Sequence, residues 1–147
     1  MVKLRDHGSC FVCDKTNPSS MGVEWYLDDE NQIDARFTFT INHQGPPGFA
    51  HGGATAAVLD EAMGLAIWYA GYRVVTANLN LDYRKPVPLG EPIQIQGALS
   101  GKENRRVEAT GRIVLPDGTV AVSAKGIYVE GARFIDQVTF QDFGLQK

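Results

Sequence analysis

The sequence predicts an α+β fold in which a curved antiparallel sheet of about five to six strands is wrapped around one long central helix. Three observations carry that expectation. One helical stretch, Gly53 to about Tyr69, is apolar around almost its whole circumference, and such a helix must be covered on nearly every side. Segments before and after it alternate between apolar and polar residues or are rich in β-formers. The later segments are joined by short turns, whereas parallel crossovers need a dozen or more residues, so the sheet is antiparallel.

Taken in order, Val23 to Leu27 is a short strand candidate. Gln32 to Ile41 is a better one, with Ile33, Ala35, Phe37 and Phe39 on one face. Asn42 to Gly48, Asn-His-Gln-Gly-Pro-Pro-Gly, is dense in residues that interrupt regular structure and reads as a loop. In the helix that follows, Ala54, Ala57, Val58, Leu59, Ala62, Met63, Leu65 and Ile67 occupy successive faces, and Gly71 supplies a stop. Four strands remain: Val74 to Arg84, Ile93 to Ser100, Arg105 to Leu115 and Thr119 to Val129. They are separated by Lys85 to Gly90, Gly101 to Asn104 and the hairpin turn Pro116-Asp117-Gly118.

A single domain over 1–147 is expected, with a loop-like N-terminal segment (1–22) and a C-terminal tail (132–147), both ends loosely attached. At this length roughly 70% of the unfolded chain's surface is buried on folding, so a core forms without staples. Fourteen Lys plus Arg against seventeen Asp plus Glu give a net charge of −3, which argues against nucleic acid and anionic lipid as partners. The charges at Lys3, Arg5 and Asp6 fit neither a secretory signal nor a membrane anchor, and a cytoplasmic location is expected. Asp60 and Glu61 interrupt the stretch Gly52 to Tyr72, which therefore reads as a buried helix rather than a membrane span.

Cys10 and Cys13 form a C-x-x-C pair with His7 three residues upstream. A structural zinc needs about four ligands, and no second Cys/His pair follows at zinc-ribbon spacing. A redox pair is expected beside a βαβ unit, whereas Asp14 to Pro18 reads as a polar loop. The cysteines are read as structural or incidental thiols, with no metal and no cofactor expected.

Chemistry concentrates in the helix. Between Gln44 and Tyr72 the only acidic or basic side chains other than His51 are Asp60 and Glu61. A carboxylate in a buried helix costs several kcal/mol unless it is paired, so either a cation such as Arg73, Arg84 or Lys85 neutralises it, or it lines a cleft and works there. Adjacent helical residues point about 100° apart, so the two acids cannot face one site equally well. Upstream, His51-Gly52-Gly53 enters the helix, whose first amides lack internal acceptors and can hold a developing oxyanion.

The run Gly45-Pro46-Pro47-Gly48-Phe49-Ala50-His51-Gly52-Gly53 through Asp60-Glu61-Ala62-Met63-Gly64, with its H-G-G-x-x-x-x-x-x-D core, resembles the signature of hotdog-fold acyl-CoA thioesterases of the phenylacetate-type (PaaI-like) group. Thr76 to Gly90 resembles the strand after the central helix in these enzymes, and Cys-Phe-Val-Cys at 10–13 resembles a frequent amino-terminal feature. The resemblance implies a hotdog fold and hydrolysis of an acyl-CoA thioester. It implies Asp60 as general base or nucleophile, Gly52 as the glycine whose N–H polarises the carbonyl, His51 as the residue shaping the loop, and Thr76 as a hydroxyl positioning water or the acid. Gly53, Glu61 and Asn78 are expected to contact substrate, and Arg84-Lys85 beside Tyr83 to meet the coenzyme's phosphates or adenine. One departure stands: several relatives carry Asn or Gln six positions before the His, where this chain has Gly45 beside Gln44.

Eight residues separate Gly52 from Asp60, about 12 Å along one helix, too far for one carbonyl to reach both. The economical solution sets Asp60 of one subunit opposite Gly52 of another, so a homodimer or a dimer-of-dimers tetramer is expected. Two alternatives remain at this stage: a hotdog dehydratase using His51 with Asp60 or Glu61 on a 3-hydroxyacyl thioester, and a non-catalytic acyl-CoA binding module.

Overall fold

A computed structural model of the chain describes residues 1–131. In chain order the elements are β1 (Val2–Lys3), β2 (Tyr26–Leu27), β3 (Ile33–Thr38), a 3-10 turn (Ile41–His43), α1 (Gly52–Tyr69), β4 (Val74–Tyr83), β5 (Pro92–Glu103), β6 (Arg106–Val114) and β7 (Val120–Glu130). Every strand pairing is antiparallel, in the order β1-β2-β3-β5-β6-β7-β4. This is the curved sheet around one helix that the sequence predicts, with seven strands among the described residues rather than five to six.

The additional strand comes from the N-terminal segment. Val2 pairs with Leu27 and Lys3 with Tyr26, the Leu4 N–H donates to Trp25 O at 2.8 Å, and the Val23 N–H donates to Val12 O at 2.9 Å. Leu4, Val12, Cys13, Val23 and Trp25 are buried, so the start of the chain is stapled to the core rather than loosely attached. Its apolar residues are too sparse to show a period, which is why the sequence reads there as loop. The expected tail over 132–147 lies outside the described residues.

Helix α1 obeys its local signals. His51 caps its start, Nδ1 accepting from the Gly53 N–H at 2.8 Å. At its end Gly71 takes φ 101°, its N–H donates to Trp68 O, and the Tyr72 N–H donates to Ile67 O. That is the Schellman pattern, which glycine enters without steric cost. Val58, Leu59, Ala62, Met63 and Ile67 are fully buried against Ile93 and Ile95 of β5, Val107 and Ile113 of β6 and Val122 of β7.

Two paired glycines let the helix settle. Gly97 on β5 lies opposite Gly111 on β6, and a Cβ on Gly97 would meet the Ala62 carbonyl oxygen at 2.5 Å. A Cβ on Gly111 would meet Leu59 Cδ2 and Met63 Cγ at 3.2 Å. By contrast a Cβ on Gly64, inside the helix, would meet only Tyr128 Cε1, at an ordinary 3.8 Å. Gly64→Ala is therefore expected to raise stability by about 1 kcal/mol, because alanine loses less backbone entropy in a helix. A urea unfolding curve with an unchanged or lowered midpoint would contradict this.

Candidate active site

Asp60 and Glu61 are adjacent on α1, yet their carboxylates have separate surroundings. Asp60 Oδ1 accepts from Thr76 Oγ1 on β4 at 2.9 Å and from the Tyr128 hydroxyl on β7 at 2.9 Å, and the same hydroxyl reaches the Asp60 carbonyl at 3.0 Å. The two donors are neighbours because Thr76 and Tyr128 are register partners between β4 and β7. Both bonds fall on Oδ1, and among the described residues Oδ2 receives no hydrogen bond and Asp60 forms no ion pair. Among the described residues the carboxylate is thus held by hydroxyls and by no cation. Burial, together with the charge of Asp60, pushes the Tyr128 hydroxyl well above the usual tyrosine range, so it stays protonated and remains a donor.

Asp60 opens on a cleft of about 440 Å³ whose other walls include Thr76, Tyr128 and the apolar side chains of Phe11, Val12, Ala57, Leu65, Trp68 and Val74. A carboxylate with one fixed and one available oxygen beside an apolar cleft can take a proton from water or attack a carbonyl carbon. Removing one of its supports should be felt. Thr76→Ala is expected to lower kcat about tenfold, the loss of one hydrogen bond to a charged group, with the fold kept by Tyr128. An unchanged turnover number would contradict that role.

Glu61 also borders this cleft but turns towards the N-terminal segment. Its Oε1 accepts from Cys10 Sγ at 2.7 Å and lies 3.4 Å from His7 Nε2, and its Oε2 accepts from Trp25 Nε1 at 2.5 Å. Burial is the main cause that pushes its carboxyl up to about 9. His7, Cys10, Cys13 and Glu61 bring one ligand atom each to within 4.8 Å of one another. The sequence shows only the first three as a group; the fourth arrives from 51 residues beyond Cys10.

The helix start forms a second place. Gly52, Tyr83, Arg84 and Lys85 line one cavity of about 230 Å³ with Ala50, Thr55, Pro86 and Val87. The Tyr83 hydroxyl and Thr55 Oγ1 each donate to the Gly52 carbonyl at 2.7 Å, which fixes the peptide plane at the helix entrance. The Gly53 N–H is occupied by His51, and among the described residues the Gly52 N–H has no acceptor. His51 is thereby committed to the cap.

Gly52 and Asp60 line different cavities, as their spacing along one helix requires. Asn78 is not brought to either. It follows a β-bulge between Thr76 and Asn78 and borders the outer sheet face with Asn80 and Asp82. Gly45 and Gln44 also have a structural account. A Cβ on Gly45 would sit 2.8 Å from His51 Cα, and Gln44 Oε1 accepts from the Gly48 N–H at 2.8 Å, closing the loop before the cap. Tyr128 is absent from the residues the sequence suggests. Its alternation within β7 marks an inward position, but only the β4–β7 register puts its hydroxyl beside Asp60.

Residues 47–122 match the family model described as Thioesterase superfamily. The acyl-coenzyme A thioesterase THEM4 of Rattus norvegicus is 34% identical over 114 residues, covering 75% of this chain and 49% of that protein. The chain therefore spans about half the length of that curated relative. Among solved structures, RHA08564, a thioesterase superfamily protein, superposes with a TM-score of 0.78 at 34% identity, over 84% of this chain and 63% of that one. The smu.793 protein of Streptococcus mutans UA159, solved bound to acetyl CoA, shares the fold with a TM-score of 0.69 at 17% identity, over 74% and 88% of the two chains.

Proposed function

The chain belongs to the thioesterase superfamily, with a hotdog fold, and from that premise we propose that it hydrolyses an acyl-CoA thioester to the free acid and coenzyme A. The observation that carries the reading is the Asp60 carboxylate, anchored through Oδ1 by Thr76 and Tyr128 and unbonded at Oδ2 beside an apolar cleft. The Gly52 N–H, at the positive end of the helix dipole, donates to the thioester carbonyl oxygen as it gains charge. Asp60 takes the proton of the attacking water, or attacks the carbonyl carbon itself. In the first route the C–S bond breaks and the departing thiolate takes the proton held by Asp60; in the second the thiolate leaves an Asp60 mixed anhydride, which water hydrolyses to the free acid, the released proton going to the thiolate. Arg84 and Lys85, beside Gly52 and Tyr83, supply positive charge for the coenzyme's phosphates.

For one thioester to meet both groups, Gly52 and Asp60 must come from different copies. Strand β4 supports this arrangement: among the described residues it ends the sheet, pairs only with β7, and presents a 10-residue edge to a second copy. The proposal is a homodimer joined along β4, with two composite sites. No helix among the described residues is long and apolar enough to cross a membrane.

A panel of aryl, short-chain and medium-chain acyl-CoAs with a thiol-reactive dye tests the reading. Catalytic thiol release is expected from at least one class, and light scattering should report a dimer or a pair of dimers. Saturable acyl-CoA binding without thiol release would leave a binding module, and loss of the crotonyl-CoA enoyl absorbance without thiol release would mark a dehydratase. The commitment of His51 to the helix cap argues against the latter.

A further inference from the structure

We infer that His7, Cys10, Cys13 and Glu61 form a structural zinc site that clips the N-terminal segment to the central helix beside the cleft. The donor set is two thiols, one imidazole and one carboxylate, the nitrogen, sulfur and oxygen mixture that tetrahedral Zn2+ accepts. A zinc ion with bonds of about 2.0–2.3 Å sets its ligand atoms roughly 3.3–3.8 Å apart. Cys10 Sγ lies 2.7 Å from Glu61 Oε1, Cys13 Sγ lies 3.2 Å from His7 Nδ1, and one donor atom from each of the four residues lies within 4.8 Å of the others. Closing the group around an ion needs movements of only about 1 Å.

The surroundings match a metal site as well as the donors do. The Val12 N–H donates to Cys10 Sγ at 3.3 Å, the contact by which a C-x-x-C turn supports a thiolate. Trp25 Nε1 holds the second carboxylate oxygen of Glu61, leaving Oε1 turned towards Cys10 and His7. Such outer hydrogen bonds are what orient a ligating carboxylate. The Glu61 side chain is only 9% exposed, and a buried acid among two thiols needs either its proton or a cation. Zinc binding replaces the two thiol protons and any carboxyl proton, which leave to solvent.

All four positions being filled by the protein, the ion holds structure and does not activate water. Its consequence for the site is positional. His7, Phe11 and Val12 wall the cleft on which Asp60 opens, and Glu61 precedes a full turn of α1 along the same wall. A zinc clip therefore fixes the shape of the acyl cleft, while the chemistry stays with Asp60. This role rests on the thioesterase reading, but the metal site itself does not.

The test uses the full chain purified under reducing conditions. Elemental analysis should find about one zinc per chain, and Co2+ added to the metal-stripped protein should give thiolate-to-metal charge-transfer absorption saturating near one equivalent. Cys13→Ser, which leaves one thiolate, should at least about halve that absorption, and Glu61→Gln should weaken Co2+ binding at least about tenfold. The same spectrum should arise in Asp60→Asn protein, so loss of hydrolysis and loss of metal are read separately. Reduced wild-type chain with no bound zinc and no charge-transfer band would overturn the proposal. So would binding unchanged by Cys13→Ser, or recovery of Cys10 and Cys13 only as a disulfide that reduction does not convert to a metal-binding form.

Discussion

Asp60→Asn is expected to lower kcat by about 10³-fold while leaving the fold and the subunit assembly intact. Asparagine keeps the shape of the side chain and an Oδ1 able to accept from Thr76 and Tyr128, so the hydroxyl pair that anchors the aspartate remains satisfied. What disappears is the charge, and with it both the capacity to take a proton from water and the capacity to attack carbon. Thiol release from the best acyl-CoA, followed beside circular dichroism and light scattering, measures the effect. A variant retaining more than about a tenth of wild-type kcat would remove Asp60 from the bond-breaking step. A single turnover in heavy-oxygen water then probes its role in the wild type: label in the Asp60 side chain marks it as the nucleophile, whereas label in the product acid alone is common to a base and to an anhydride opened at the acyl carbon.

The largest expected loss of stability comes from Gly97→Ala. A methyl group there would lie 2.5 Å from the Ala62 carbonyl oxygen and 2.6 Å from its carbon, and these are backbone atoms of α1 that no rotamer change can move aside. The helix must lift from β5, opening the contact around Leu59, Ala62 and Met63, all fully buried. Overpacking of this kind costs about 3 kcal/mol. With a urea slope of about 2 kcal/mol per molar, the unfolding midpoint should fall by about 1.5 M. A drop smaller than about 0.3 M would show that α1 has room over β5. The contrast with Gly64→Ala is instructive, since the same methyl group is expected to stabilise one position and disrupt the other according to what lies within 4 Å.

The elements were legible to within a few residues because their causes are local. The apolar circumference of α1, the φ 101° glycine that ends it, and Gly118 at φ 88° in the β6–β7 hairpin act through neighbours a few positions away. The strands β1 and β2 were not legible in full, since two-residue segments carry no period, and β1 gains its order from pairing Val2 with Leu27, far along the chain. Asn78 shows the same limit on a smaller scale. Simple alternation puts Thr76 and Asn78 on one face, and a bulge between them sends Asn78 outward.

By itself the sequence determined that one helix is enclosed by antiparallel strands and that this helix carries an acid eight residues beyond a glycine-rich entrance. Spacing within the helix also separated that acid from Gly52 and turned it away from Glu61, because rise and rotation per residue are constants of the backbone. Only the tertiary structure decided what each acid meets. The register of β4 on β7 sets two hydroxyls on Asp60, and the folding back of residues 1–25 sets a histidine, two cysteines and a tryptophan around Glu61. Those partners lie 16 to 68 residues from the acid they touch, beyond the range over which a local pattern constrains side-chain position, so burial and strand pairing across the whole domain must assemble them.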